Sequence, residues 1–168
     1  MLSQRTLRIK ITATGVGLHS GKKVTLTFHP ADVDTGIIFR RIDGDKVIEI
    51  PALAKYVGDT TLSTSLERDG YKISTIEHLL SAIAGTGVDN CVIDCDGPEI
   101  PVMDGSSTEF VFLIQSAGIM EQDAAKKFIY VTKSVQVSRE DAVARINPYE
   151  GFRVTFTVDF DHPVYKKY

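Results

Sequence analysis

Apolar and polar residues alternate with a period of two along most of this chain, and a helical period replaces that alternation in only two places. Val24, Leu26 and Phe28 alternate with Thr25, Thr27 and His29, so 23–29 reads as a half-buried strand, and 5–12 reads the same way. Residues 37–42 and 47–50 form two strands joined across Asp43-Gly44-Asp45. Residues 62–67 and 71–73 form a hairpin closed by Asp69-Gly70, the strongest short hairpin signal. A further strand at 88–94 runs into the rigid connection Asp96-Gly97-Pro98-Glu99-Ile100-Pro101. Beyond Phe128 only strands are expected, at 128–137, 142–146 and 152–160.

The first helical stretch follows the hairpin directly. Ile76, Leu79, Leu80 and Ile83 fall at i, i+3, i+4 and i+7, Ser74 with Glu77 has the capping-box spacing, and Gly85 is the expected stop. The second opens with Ser106 and Glu109, another capping box, continues through Phe110-Val111-Phe112-Leu113-Ile114 and ends near Gly118. It is apolar almost all round, which predicts deep burial. The order predicts an α+β fold: a two-layer sandwich of a mixed, mostly antiparallel sheet against two helices over residues 1–120. Residues 121–127 are polar and read as a linker. Residues 128–168 supply strands with no helix to cover them, a partial second α+β domain.

Composition excludes several classes. At 168 residues, 43% hydrophobic and 24% charged, the chain is an ordinary globular protein of one sizeable or two small domains. A net charge of −3 argues against nucleic acid as a partner. No apolar run approaches the ~18 residues of a membrane span, and the N-terminus lacks the apolar segment of a signal peptide, so the cytoplasm is the expected compartment. Cys91 and Cys95 fall four residues apart on one strand, ~13 Å at strand rise, too far for a disulfide. Both are expected as reduced core residues.

Candidate chemistry lies mainly in the first helix. At about 100° per residue, His78 falls on the face opposite the apolar stripe and Glu77 on its flank, so an outward Glu-His pair stands at the helix start. The plain reading of such a pair is a capping Glu and a solvated His, and on spacing alone it is a weak signal. Gly15-Val16-Gly17-Leu18-His19-Ser20-Gly21 is a loop between strands. It is no dinucleotide fingerprint, because its glycine spacing is wrong and a strand follows it. A nest of N–H groups around an anion remains open, and His19 reads locally as a plain loop residue.

Four blocks in order carry a resemblance: Gly15-Val16-Gly17-Leu18-His19-Ser20-Gly21, Thr75-Ile76-Glu77-His78-Leu79-Leu80-Ser81-Ala82, Pro98-Glu99-Ile100-Pro101-Val102-Met103-Asp104-Gly105-Ser106 and Asp159-Phe160-Asp161-His162-Pro163. In these the chain resembles the zinc-dependent UDP-3-O-acyl-N-acetylglucosamine deacetylases of lipid A synthesis in Gram-negative bacteria. The resemblance implies His78 as a zinc ligand and Glu77 as general base, with His19, Leu62 and Ser63 near the substrate cleft. It implies a small-molecule substrate, UDP-3-O-acyl-N-acetylglucosamine, no stable membrane insertion and a monomeric complete protein. Family members are about twice a ~150-residue domain in length. Their other two zinc ligands, a His and an Asp four residues on, and their general-acid His lie in a second half with no counterpart here. The resemblance therefore implies the N-terminal half of such an enzyme, inactive alone. The alternatives are a non-catalytic nucleotide-sugar or partner-binding module and a regulatory scaffold.

Overall fold

A computed structural model of the chain describes residues 2–140 and 142–157. The alternating segments form strands β1 (Ser3–Leu7), β2 (Ile11–Val16), β3 (Lys23–Pro30), β4 (Ile37–Asp43), β5 (Lys46–Pro51), β6 (Leu66–Arg68) and β7 (Tyr71–Ile73). Helix α1 (Glu77–Thr86), strand β8 (Cys91–Cys95), helix α2 (Thr108–Ala117) and strands β9 (Ile119–Ala125), β10 (Val135–Arg139) and β11 (Ala142–Ile146) follow. The chain divides into two compact units after Lys127.

The first unit is built on a five-stranded sheet of order β2-β3-β8-β4-β5, antiparallel except where β4 runs parallel to β8. One sheet face, with Val24, Leu26, Phe28, Phe39, Ile50, Cys91, Ile93 and Cys95, joins a single core with Leu79, Ala82 and Ile83 of α1 and Phe110, Ile114 and Ala117 of α2. The fold is the expected α+β sandwich of a mixed, mostly antiparallel sheet against two helices. The opposite face is half-exposed. There His29 on β3, Asp94 on β8 and Arg40 on β4 meet across three strands, at 2.8 Å (His29 Nε2 to Asp94 Oδ2) and 2.5 Å (Arg40 Nε to Asp94 Oδ1).

Both cysteines are free and buried. Burial pushes the Cys91 thiol up to about 12 and the Cys95 thiol up to about 11. Neither forms thiolate near neutral pH, and the thiolate is the reactive species. In the native chain at pH 8 neither thiol is expected to react with a disulfide reagent, and both react once denaturant opens the sheet. Rapid reaction of either native thiol would contradict this packing.

Several boundaries differ from expectation. The predicted strand 5–12 is two strands, because the N–H groups of Arg8 and Ile9 turn to the carbonyls of Gly118 and Ala117 at the end of α2. The segment 121–127, read as a linker, carries most of β9, which pairs antiparallel with β1. It is a polar edge strand whose Gln122 bonds Asn90 and Ala31, and strands of that kind carry little apolar alternation. Helix α1 runs past Gly85 and stops at Gly87, whose φ of 75° closes a Schellman motif with Val88 N–H on the Ile83 carbonyl. Helix α2 ends at Gly118 as expected, but Phe112 is 69% exposed, so its outer face is open.

Neither capping box forms. Thr75 takes a left-handed φ of 58° between Ser74 and the helix, and the Ser74 hydroxyl donates to the Pro98 carbonyl instead. The Ser106 hydroxyl accepts from Thr108 N–H and donates to Asp104, outside the N-cap position held by Ser107.

In the second unit β10 and β11 pair as an antiparallel hairpin with Val135, Val137, Val143 and Ile146 exposed. Residues 128–134 and 152–157, expected within strands, have no regular structure. Residues 158–160 of that last strand, and His162, lie outside the described residues.

Candidate active site

The candidate residues are organised by two carboxylates, one at the start of α1 and one in the connection after β8. Glu77 is the first residue of α1 and is half-buried, as is His78. With the capping box absent, the Glu77 carboxylate turns to a different backbone donor: Thr64 N–H, 3.1 Å from Oε2. Thr64 follows Leu62 and Ser63 in the loop before β6. Leu62 has a left-handed φ of 61° and is 86% exposed, and Ser63 is half-buried. The structure thus ties the 62–64 loop to the base of α1 through Glu77.

That loop is fastened from the other side by Asp59. Thr61 N–H lies 2.9 Å from Asp59 Oδ1 and Lys72 Nζ 3.1 Å from Oδ2, and these bonds hold the Asp59 carboxyl down at about 2. Gly58 lies against the Glu67 carboxylate: a Cβ on it would stand 2.2 Å from the carboxylate carbon, so any larger residue there displaces the end of the Glu67 side chain.

The second carboxylate is Glu99, 1% exposed. Its Oε1 accepts from His19 N–H at 3.0 Å and from the Thr75 hydroxyl at 3.1 Å, and its Oε2 accepts from Ser20 N–H at 2.8 Å. The N–H groups of the glycine-rich loop do surround an anion, and that anion is the chain's own carboxylate. Burial alone would raise the Glu99 carboxyl, but the bonds from His19, Ser20 and Thr75 outweigh it and hold the group below its ordinary value. Spacing in the sequence offered no sign of this role. The available hint was an acidic residue between two prolines in an otherwise apolar turn.

The Ser106 N–H and hydroxyl are the larger causes that lower the Asp104 carboxyl, and His78 adds to them. The bonds that hold Glu77 and Glu99 do not involve the His78 ring. Among the described residues no group of three or more His, Cys, Asp and Glu converges in a way that would hold a metal ion. Catalytic zinc takes three protein ligands, and the described residues around His78 do not make up such a set.

Glu77 and His78 thus stand in the first turn of α1, with Glu77 tied to the 62–64 loop and Thr75, two residues earlier, tied through Glu99 to the glycine-rich loop. The family model for UDP-3-O-acyl N-acetylglycosamine deacetylase, LpxC, matches residues 4–168. The chain is 60% identical to the UDP-3-O-acyl-N-acetylglucosamine deacetylases of Saccharophagus degradans and Hahella chejuensis, and 57% identical to that of Alcanivorax borkumensis. Each alignment takes in 99% of this chain and 55% of the relative, so the chain spans about half the length of the curated relatives it matches. A family model that matches residues 4–168, and so takes in all four sequence blocks, shows that the chain belongs to the UDP-3-O-acyl N-acetylglycosamine deacetylase family.

Proposed function

We propose that this chain is the N-terminal half of a zinc-dependent hydrolase that removes the N-acetyl group from UDP-3-O-acyl-N-acetylglucosamine in lipid A biosynthesis. The observation that carries the proposal is the Glu77-His78 pair, with one Glu77 oxygen held by Thr64 N–H and the other not engaged in that bond. Zinc held by His78 and ligands from the rest of the protein would lower the pKa of a water towards ~7 and polarise the acetamide carbonyl. Glu77 takes the water's proton at its carboxylate as the water oxygen adds to that carbonyl. The C–N bond then breaks as a general acid gives the departing nitrogen a proton, leaving acetate and a free amine on the sugar. His78 supplies one zinc ligand, and a general acid and two further ligands come from the part of the protein this chain does not include. His19, Leu62 and Ser63 border the substrate, and their tethering to the base of α1 supports that placement. The complete protein is a cytoplasmic monomer in this reading; among the described residues no helix is long and apolar enough to cross a membrane.

Acetate release by a full-length family protein carrying this sequence tests the proposal. Release is expected to vanish on chelation and to return on adding zinc. Release that persists after exhaustive chelation, or none from zinc-loaded protein, overturns it. A second reading, a non-catalytic binding module, is favoured for the chain alone by the incomplete metal set among its described residues.

A further inference from the structure

We propose that Glu99 is a positioning residue that locks the glycine-rich loop carrying His19 to the start of the helix carrying Glu77 and His78. The proposal rests on the reading of those three residues as site residues, and it adds the part that holds them together.

Three observations converge. The first is the pattern of donors. A carboxylate buried to 1% exposure is costly unless its oxygens are satisfied, and here both oxygens are used as acceptors, by His19 N–H, Ser20 N–H and the Thr75 hydroxyl. Glutamine has one acceptor oxygen, so its amide would face at least one of these N–H groups donor to donor. The second is the space. A Cβ on Gly17 would lie 2.5 Å from Glu99 Oε2 and 2.3 Å from Ser20 Oγ, so the missing side chain is the room the carboxylate occupies.

The third is strain. Thr75 is β-branched and buried, yet sits at a φ of 58°, a conformation that persists only where the surroundings over-determine it. The surroundings do so. Ser74 N–H bonds the Pro98 carbonyl, Ile100 N–H bonds the Ser74 carbonyl, and Ile76 N–H bonds the Thr64 carbonyl, with the Thr75 hydroxyl on Glu99 between them. Because His19 N and Thr75 Oγ1 share one Glu99 oxygen at 3.0 and 3.1 Å, they lie no more than about 6 Å apart. Two residues past Thr75 stands Glu77. The residues of the first and second sequence blocks are therefore brought together by a residue of the third.

Amide exchange and chemical shifts of the 168-residue chain carrying Glu99→Gln test the proposal. The His19 and Ser20 amides are expected to exchange roughly ten- to a hundredfold faster, the range for losing a hydrogen bond to a charged group. Signals of Thr75, Glu77 and His78 shift, while amides of β3 and β8 keep their protection. Unchanged exchange at His19 and Ser20 overturns the proposal. So does faster exchange there with Glu77 and His78 signals unmoved, which would make Glu99 a loop anchor that positions nothing in α1. Should the glutamine variant fail to fold, Thr75→Ser and Thr75→Ala decide the matter. Serine keeps the hydroxyl on Glu99 and is expected to leave the Glu77 and His78 signals in place, whereas alanine moves them. Equal shifts in both variants contradict the proposal. No readout involves turnover, so these results stand or fall separately from the deacetylase assignment.

Discussion

Glu77→Gln in a full-length family protein carrying this sequence is expected to lower kcat by about 10²–10⁴-fold, the usual contribution of a positioned general base. The glutamine is nearly isosteric, and its amide oxygen still accepts the Thr64 N–H that holds the 62–64 loop. The loop and the α1 start therefore keep their geometry, and the lost element is the basic oxygen. KM should change little and the melting temperature should stay within a few degrees of the parent's. Steady-state kinetics beside a thermal melt check both parts. A kcat within tenfold of the parent's, with the fold intact, would remove Glu77 from the chemistry.

The second large effect is on stability. Phe110→Ala is expected to destabilise the chain by about 3–5 kcal/mol, the range for emptying a large aromatic site in a packed core. Phe110 stands in the first turn of α2, is fully buried and belongs to the same core as Leu79 and Ile83 of α1. A loss of that size is a large part of the ~5–15 kcal/mol that holds a typical domain folded. It falls on the helix pair that carries Glu77 and His78. Urea unfolding followed by circular dichroism measures it, and a change below about 1 kcal/mol would mean that α2 is not part of the core that supports α1.

The amino-acid sequence shows whatever short-range chemistry decides. The Asp69-Gly70 turn has φ of 53° and 79°, the doubly positive pair a two-residue hairpin needs, and the dipeptide alone announced it. Val24, Leu26 and Phe28 point into the core as their alternation requires, and Cys91 and Cys95 share the buried face of β8. The misses come from contacts made far along the chain. Ser74 and Glu77 have capping-box spacing, but Thr75 is drawn into a left-handed conformation by residues 98–100, and the box cannot close. Gly85 and Gly87 are equal candidates for a helix stop until Val88 reaches the Ile83 carbonyl and selects the later one. The 121–127 segment looked like a linker because an edge strand paired on one side needs little apolar alternation.

The candidate site divides the same way. Glu77 and His78 stood out as a candidate pair at a helix start, and the structure has both at the start of α1, half-buried rather than turned out to solvent. Glu99 did not stand out, because its partners His19 and Ser20 lie 80 and 79 residues away in sequence. The Thr64 tether of Glu77 was hidden for a related reason, since its donor is a backbone N–H that no side chain announces. A buried carboxylate matched to backbone donors is a tertiary feature, and only the folded chain displays it.

Zinc content of the purified 168-residue chain, measured with His78→Ala beside it and with an acetate-release assay on both, tests the central claim most directly. Well below one zinc per chain is expected, with a further drop in the alanine variant and no acetate release. One tightly held zinc per chain, unchanged by His78→Ala, or measurable turnover by the chain alone, would contradict the view that Glu77 and His78 are half of a site completed elsewhere in the protein.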